Sequence, residues 1–249
     1  YRIKLESRQG KVSQLLESRR KLEDEAHGRR QRAKLLRDME NNLEGFQNSV
    51  KYVMRQAQIG ALREVYGPVS RLITAKDEHL LAIEVALGAA MQNIVVRDEA
   101  VAKKAIAMLK ESRSGRATFL PVSTVKGNSL TDKWLSEMDG FIGLAAELVQ
   151  CDARNQGIVD QLLGRIAVVE DLDAAVLCAK RGGYKFRVVT LDGQVVNAGG
   201  SMTGGYTVRS AGILSRAREI SELERQAETY EEKIAALDKQ IQTAKEEQA

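Results

Sequence analysis

Apolar residues near the C-terminal end recur in one unbroken rhythm. Ile220, Leu223, Ala227, Tyr230, Ile234, Leu237, Ile241 and Ala244 are separated by alternating steps of three and four, with Glu, Lys, Arg and Gln between them. That spacing predicts a long helix with a heptad seam along one side. The N-terminal end follows a looser form of the same period. Leu5, Val12, Ala26 and Ala33 fall at one seam position and Leu15, Leu22, Leu36 and Leu43 at the other. Arg19 and Arg29 stand at seam positions too, where an aliphatic stem covers the seam while the charge reaches water. Two such segments around a different middle predict a chain that leaves along one helix, folds a domain and returns along the other. The result would be an intramolecular antiparallel coiled coil about 50–65 Å long at 1.5 Å per residue. Two unpaired amphipathic helices lying on a domain surface would be the alternative.

Between these segments the period changes. Asn93–Val96 reads as a short buried strand after a helix centred on Leu80–Leu87. Asp98 is placed to cap a helix carrying Val101, Ala102, Ala105, Ile106 and Leu109, with Gly115 as its stop. Thr118–Val122 is strand-like, and Pro121 puts it at an edge or strand end. Helix over Gly157–Leu163, strand over Arg165–Glu170 and helix over Leu172–Lys180 follow. A hairpin about Asp192-Gly193 then joins Arg187–Leu191 to Gln194–Asn197. Alternating helix and strand predicts an α/β fold of two small subdomains. The expected organisation is an N-terminal arm over 1–45, a globular part over 46–214 joined around a Ser-, Thr- and Gly-rich loop at 123–145, and a C-terminal arm over 215–249.

Composition supports long helices around a modest core: 43% hydrophobic and 29% charged, but only 4% aromatic and 2 prolines. The charge of the ends is asymmetric. Residues 1–45 hold 12 Lys and Arg against 8 Asp and Glu, whereas 215–249 hold 6 against 9, as two pairing segments would. The chain opens on Tyr1 rather than Met and reads as a piece of something longer. Nothing resembles a signal peptide or an apolar membrane span, so a cytoplasmic protein is expected. Cys151 and Cys178 sit among apolar neighbours and share no metal-ligand spacing with each other or with His27 and His79, so no zinc site is expected.

The most unusual local sequence is Gly199-Gly200-Ser201-Met202-Thr203-Gly204-Gly205. Three readings are open. It could cradle a phosphate on free backbone N–H groups, although GxxxxGK[ST], GxGxxG opening a helix, and any Lys or Arg within it are all missing. It could be a contact surface where another chain approaches bare backbone. It could be a pair of ordinary turns. The sequence singles out no catalytic group: GxSxG and HExxH are absent, and no carboxylate pair stands apart from the surface charges. For nucleic acid, Lys103, Lys104 and Lys110 share one helix, Lys185 precedes the hairpin, and Arg209, Arg216 and Arg218 cluster near the start of the outgoing arm. Such a set could bind phosphates weakly and without sequence preference, and no aromatic residue among them suggests base stacking.

Taken in order, Gly67–Val69 (GPV), Ala82–Asn93 (AIEVALGAAMQN), Ile94–Val96, Gly115–Pro121 (GRATFLP), Gly140–Ala145 (GFIGLA), Leu162–Gly164, Val188–Gly193 (VVTLDG) and Gly199–Gly205 resemble the hinge domain of bacterial-type SMC (structural maintenance of chromosomes) proteins. The resemblance runs the length of the chain, with the heptad segments where that family's coiled-coil arms begin. It implies a hinge of two subdomains that pairs with a second hinge to close a ring-like homodimer, with Gly199, Gly200, Gly204 and Gly205 and the residues between them at the interface. It also implies ATPase heads beyond the far ends of the arms, binding ATP with Mg, a kleisin partner and DNA, in a nucleoid-associated protein of chromosome condensation and segregation. No head motif occurs in this chain, so no cofactor and no ATPase activity are expected of it. The basic set after the second Gly pair is thinner than the family's usual one. The CxxC of the zinc hooks in related repair ATPases is absent. A ligand- or nucleotide-binding α/β domain, with the Gly-rich loop as its anion site, is the alternative.

Overall fold

The structure, a computed structural model, describes residues 2–206 and 212–246, with side chains from Gly10 onward; Arg209 lies outside the described residues. The chain divides into two compact units, Gly45–Leu214 and the helical segments on either side of it.

The helical unit is built from α1 (Arg2–Asn41) and α7 (Ile213–Glu246). At 1.5 Å per residue their 40 and 34 residues span about 60 and 50 Å. The seam is visible as burial: Ala26, Ala33 and Leu36 of α1 and Ile220, Ala227 and Ile241 of α7 are buried, while the intervening positions are mostly exposed. Cross-helix ion pairs fix the direction. Arg19 meets Asp238, Arg30 meets Glu231 at 2.6 Å and Arg37 meets Glu224 at 2.6 Å, so partner numbers fall as arginine numbers rise. The helices are antiparallel, and moving one heptad along α1 from Arg30 to Arg37 moves one heptad back along α7. Both seam arginines turn outward: Arg19 Nε reaches Asp238, and Arg29 Nε donates to Gln226 Oε1 at 3.0 Å.

The globular unit mixes helix and sheet. Its first half runs α2 (Asn48–Gln58), β1 (Val65–Pro68), β2 (Ile73–Ala75), α3 (Asp77–Leu87), β3 (Ile94–Val96), α4 (Glu99–Ser112) and β4 (Phe119–Pro121). The second runs β5 (Phe141–Leu144), β6 (Val149–Cys151), α5 (Gln156–Leu163), β7 (Ile166–Val169), α6 (Leu172–Arg181), β8 (Arg187–Thr190), β9 (Val195–Val196) and β10 (Met202–Thr203). Among the described residues the strands form a sheet of order β1-β3-β4, a sheet of order β10-β9-β8-β7-β5, and the pair β2-β6. Both parallel pairs, β3–β4 and β7–β8, are joined through a helix, as parallel strands require. Each crossover helix starts on an aspartate: Asp98 accepts from Val101 N–H at 3.0 Å and Asp171 from Ala174 N–H at 2.9 Å.

Pro121 ends β4 at a sheet edge, where its missing N–H costs no ladder bond. The stop of α4 differs from the expectation. Arg113, not Gly115, takes the left-handed position at the helix end, with φ 52°; Gly115 follows at φ 93°. The stretch 123–145 is also more than a loop. Phe141–Leu144 pairs with β7 as an edge strand, and Leu135 and Met138 are buried under the same sheet. The two halves share one core cluster, and the second half encloses a further one of its own around Leu144, Val169 and Cys178. Val69, Ile83 and Val95 pack in a cluster with Val159, Leu163, Val168 and Val189, and β2 pairs with β6 across the halves.

Candidate functional site

The five-stranded sheet ends in β10, and the Gly-rich segment both makes that strand and leaves it open. Asn197 N–H donates to Ser201 O at 2.8 Å and Gly200 N–H to Asn197 O at 2.9 Å, closing a tight turn between β9 and β10. Gly199 and Gly200 sit in it at φ 85° and 93°, where an L side chain is strained. Gly199 N–H donates to Tyr184 O at 2.9 Å, tying the turn to the loop after α6. Beyond β10, the Gln194 side chain clasps Gly205 from both sides: its Oε1 accepts from Gly205 N–H at 2.8 Å and its Nε2 donates to Gly205 O at 3.1 Å. Gln194 is itself held by Thr190, which is fully buried, through its own N–H to Thr190 Oγ1 at 2.8 Å. A Cβ at Gly204 would run into the Gln194 amide oxygen.

Each glycine therefore has a use inside the chain, three for φ and Gly204 for room. The N–H groups of Gly199, Gly200 and Gly205 are all donated within the chain. A phosphate cradle needs several converging free N–H groups, and these three are not free.

What the segment does present is an edge. In an antiparallel ladder hydrogen-bonded and non-hydrogen-bonded pairs alternate. Since Asn197 bonds Ser201, the next pair, Val196 with Met202, is a non-bonded one, and Met202 turns its N–H and C=O away from β9. Met202 is 55% exposed and Tyr206 93% exposed, while a Cβ at Gly199 or Gly205 would meet nothing within 4 Å. Soluble proteins usually blunt such edges with Lys, Pro or a covering loop. From Ala198 to Tyr206 there is no charge and no proline.

The basic residues separate into different kinds. Lys103, Lys110 and Lys185 are exposed, and Lys104 Nζ donates to Ala61 O at 2.9 Å. Arg216 leaves the exposed set altogether: it is buried and donates to Glu44 O at 3.0 Å, closing the end of the arm, because its guanidinium is turned inward. Arg218 is exposed and already engaged within the chain. Burial pushes the Cys178 thiol up to about 11, and burial, then Asp160 and Asp152, raises that of Cys151. Thiols so shifted stay protonated at neutral pH.

The family model of the SMC proteins' flexible hinge domain matches residues 62–178. The hinge domain of the Geobacillus stearothermophilus SMC protein, solved as an asymmetric dimer, is 35% identical, superposes with a TM-score of 0.84, and matches over 97% of this chain and 98% of that one. The chain belongs to the SMC hinge family. The Pyrococcus furiosus SMC hinge is 29% identical with a TM-score of 0.55, over 77% of this chain and 92% of that one. The chromosome partition protein Smc of Bacillus subtilis strain 168 is 38% identical over 221 residues, 87% of this chain but 18% of that protein. This hinge thus spans under a fifth of the length of the curated relatives it matches.

Sequence reasoning found the Gly-rich segment of the hinge but not Gln194, Thr190 or the strand between the glycine pairs. Gln194 gives no sequence signal, since its role depends on Gly205 returning beside it. Met202 does: it is a large apolar residue between two Gly pairs, where turns are usually polar.

Proposed function

We propose that this chain is a dimerisation module, joining two SMC protomers as a homodimer through the open edge of β10 and the glycines flanking it. The exposed, uncharged edge at Met202 is the observation that carries the reading. A second chain laid against it would satisfy the outward N–H and C=O of Met202. Covering the exposed apolar surface of Met202 and Tyr206 would contribute about 25 cal/mol for each Å² removed from water. The dimer reported for the Geobacillus stearothermophilus hinge supports the same conclusion. In the complete protein the arms would continue to ATPase heads, which bind ATP and a kleisin, and the assembly would act in chromosome partition on the nucleoid. Contact with DNA phosphates by the exposed Lys103, Lys110 and Lys185 belongs to this proposal as a weaker, salt-sensitive element.

The test is sedimentation of the parent and of Met202→Pro. Proline removes the outward N–H and the exposed methionine side chain but no bond to β9, so the variant should keep the parent's circular dichroism and sediment as a monomer where the parent is a dimer. A folded Met202→Pro that dimerises as tightly as the parent would sink the assignment of the edge.

A further inference from the structure

The β2–β6 ribbon turns one face to the core and the other to a cavity of about 230 Å³. Ile73 pairs with Cys151 and Ala75 with Val149, and Ile73 and Val149 are buried in the shared core cluster. Thr74 and Gln150 pair between them, so their side chains stand on the opposite face. The same alternation carries that face to Lys76 and Leu148, just beyond the strand ends, and all four residues line the cavity. His79 completes the lining from the first turn of α3, and Glu147 from the turn before β6.

Lys76 and Glu147 bring opposite charges to this one small cavity without meeting. Neither makes an ion pair among the described residues. Elsewhere on the globular unit such charges close on each other, Arg97 on Glu64 and Arg154 on Asp152. Glu147 is held by its own turn: its Oε2 accepts from Leu144 N–H at 3.2 Å and its N–H donates to Leu144 O at 2.8 Å. Gly143 leaves that turn room, since a Cβ there would stand 3.2 Å from Leu148 Cδ2. On the other side, no side chain caps the start of α3, so the positive end of its dipole adds to the charge of Lys76. Asp77 and Glu78 belong to that turn but not to the lining. His79 is 8% exposed, its Nδ1 is buried without a hydrogen-bond partner, and its Nε2 lies 3.6 Å from the Glu78 carboxylate. A buried ring nitrogen left unpaired destabilises the site until a polar partner arrives. A cation alone would suit an anion and a carboxylate alone a cation; the two held apart suit a molecule that carries both charges. The volume lies below the range of about 300–1,000 Å³ for drug-sized ligands, which limits the occupant to a smaller one.

We propose that this cavity binds a small zwitterion, a free α-amino acid, with its carboxylate on Lys76 and the start of α3, its ammonium on Glu147, and the His79 imidazole beside it. The site goes beyond the dimerisation reading, uses none of its residues, and stands or falls separately from it.

The test uses the whole chain, with its two histidines as reporters. His27 is exposed on α1 and His79 is buried at the cavity, so their imidazole proton signals in NMR separate a free ring from the cavity ring. Individual L-amino acids, acetate and methylammonium are added at fixed pH and salt. At least one amino acid should shift the His79 signal saturably and leave that of His27 in place. Acetate and methylammonium each carry one of the two charges and should bind at least about tenfold more weakly, for want of one charged hydrogen bond. Lys76→Gln and Glu147→Gln, both at exposed positions, should keep the parent's circular dichroism and each weaken amino-acid binding about tenfold. The glutamine at 147 still offers an oxygen to Leu144 N–H. Lys126→Gln, which removes an exposed charge outside the cavity, should bind as the parent does. No saturable His79 shift with any amino acid by about 50 mM, acetate binding as tightly as the amino acids, or equal weakening in the Lys126 control would overturn the proposal.

Discussion

Gly204→Ala should destabilise the hinge through a side chain ten residues away in sequence, and the effect should vanish when that side chain is removed. The φ of Gly204 is not in the left-handed region, so alanine suits the backbone and would, on its own, stabilise by about 0.4–1 kcal/mol through the unfolded state. The obstacle is Gln194, whose amide oxygen occupies the place of the new Cβ. Gln194 must swing away, giving up its bonds of 2.8 and 3.1 Å to Gly205. At about 1 kcal/mol each, those bonds make the loss about 2 kcal/mol and the net change about 1–1.5 kcal/mol unfavourable. Gln194→Ala alone loses the same two bonds. In the double variant the alanine at 204 meets no amide, so the second substitution should be neutral or slightly stabilising, with a coupling of about 1–2 kcal/mol. The assay is urea unfolding at one fixed protein concentration, which holds any contribution of association constant, followed by circular dichroism and Trp134 fluorescence. Additive losses from the two substitutions would refute the clasp as the reason for glycine at 204.

Three other outcomes follow from the same geometry. Leu36→Ala, at a seam position 2% exposed, should cost the arm pair about 2–5 kcal/mol and lower the melting of arm helicity in circular dichroism; an unchanged melt would remove α1–α7 packing as its source. Cys151, partly accessible, should react slowly with a maleimide in the native protein, while Cys178, at 0% exposure with its thiol near 11, should react only on unfolding; equal native rates would contradict the burial. Arg225, and after it Gln226, hold the carboxyl of Glu222 at about 2, below its ordinary 4.5. A depressed carboxyl stabilises the fold above its unfolded value and loses that contribution as pH falls towards the folded one. The acid loss of arm helicity between those values should therefore be reduced in Glu222→Gln, and identical acid profiles would count against the pairing.

The arms were legible because a helix in a coiled coil must repeat its apolar residues every seven, and two opposite charge balances pointed to pairing. The crossover helices were legible because Asp98 and Asp171 cap them, and the hairpin because Asp192-Gly193 is turn chemistry. Other features form only when distant pieces meet. Helix α2 went unplaced, although Val50 and Val53 bury one side of it, because the sequence around it offers no cap. Strand β5 was hidden in a Ser-, Thr- and Gly-rich stretch whose burial comes from β7 beside it. Strand β10 has two residues, too few to show alternation, and depends on the turn at Asn197–Ser201 and on Gln194. Glycine itself was ambiguous in this segment, since contact and turn readings ask for the same residue, and positive φ at Gly199, Gly200 and Gly205 with the room that Gly204 leaves Gln194 accounts for all four positions. The interface reading therefore rests on the open edge and not on the glycines' lack of side chains.

Hydrogen exchange at the Met202 amide tests the central claim most directly, because that N–H faces away from β9, the one strand that pairs with β10 among the described residues. If the edge of β10 pairs with a second chain, the segment 198–206 should be protected at high protein concentration and lose that protection on dilution, in step with the change from dimer to monomer by sedimentation. Fast exchange at Met202 at concentrations where the protein is dimeric would contradict it and move the interface elsewhere on the hinge.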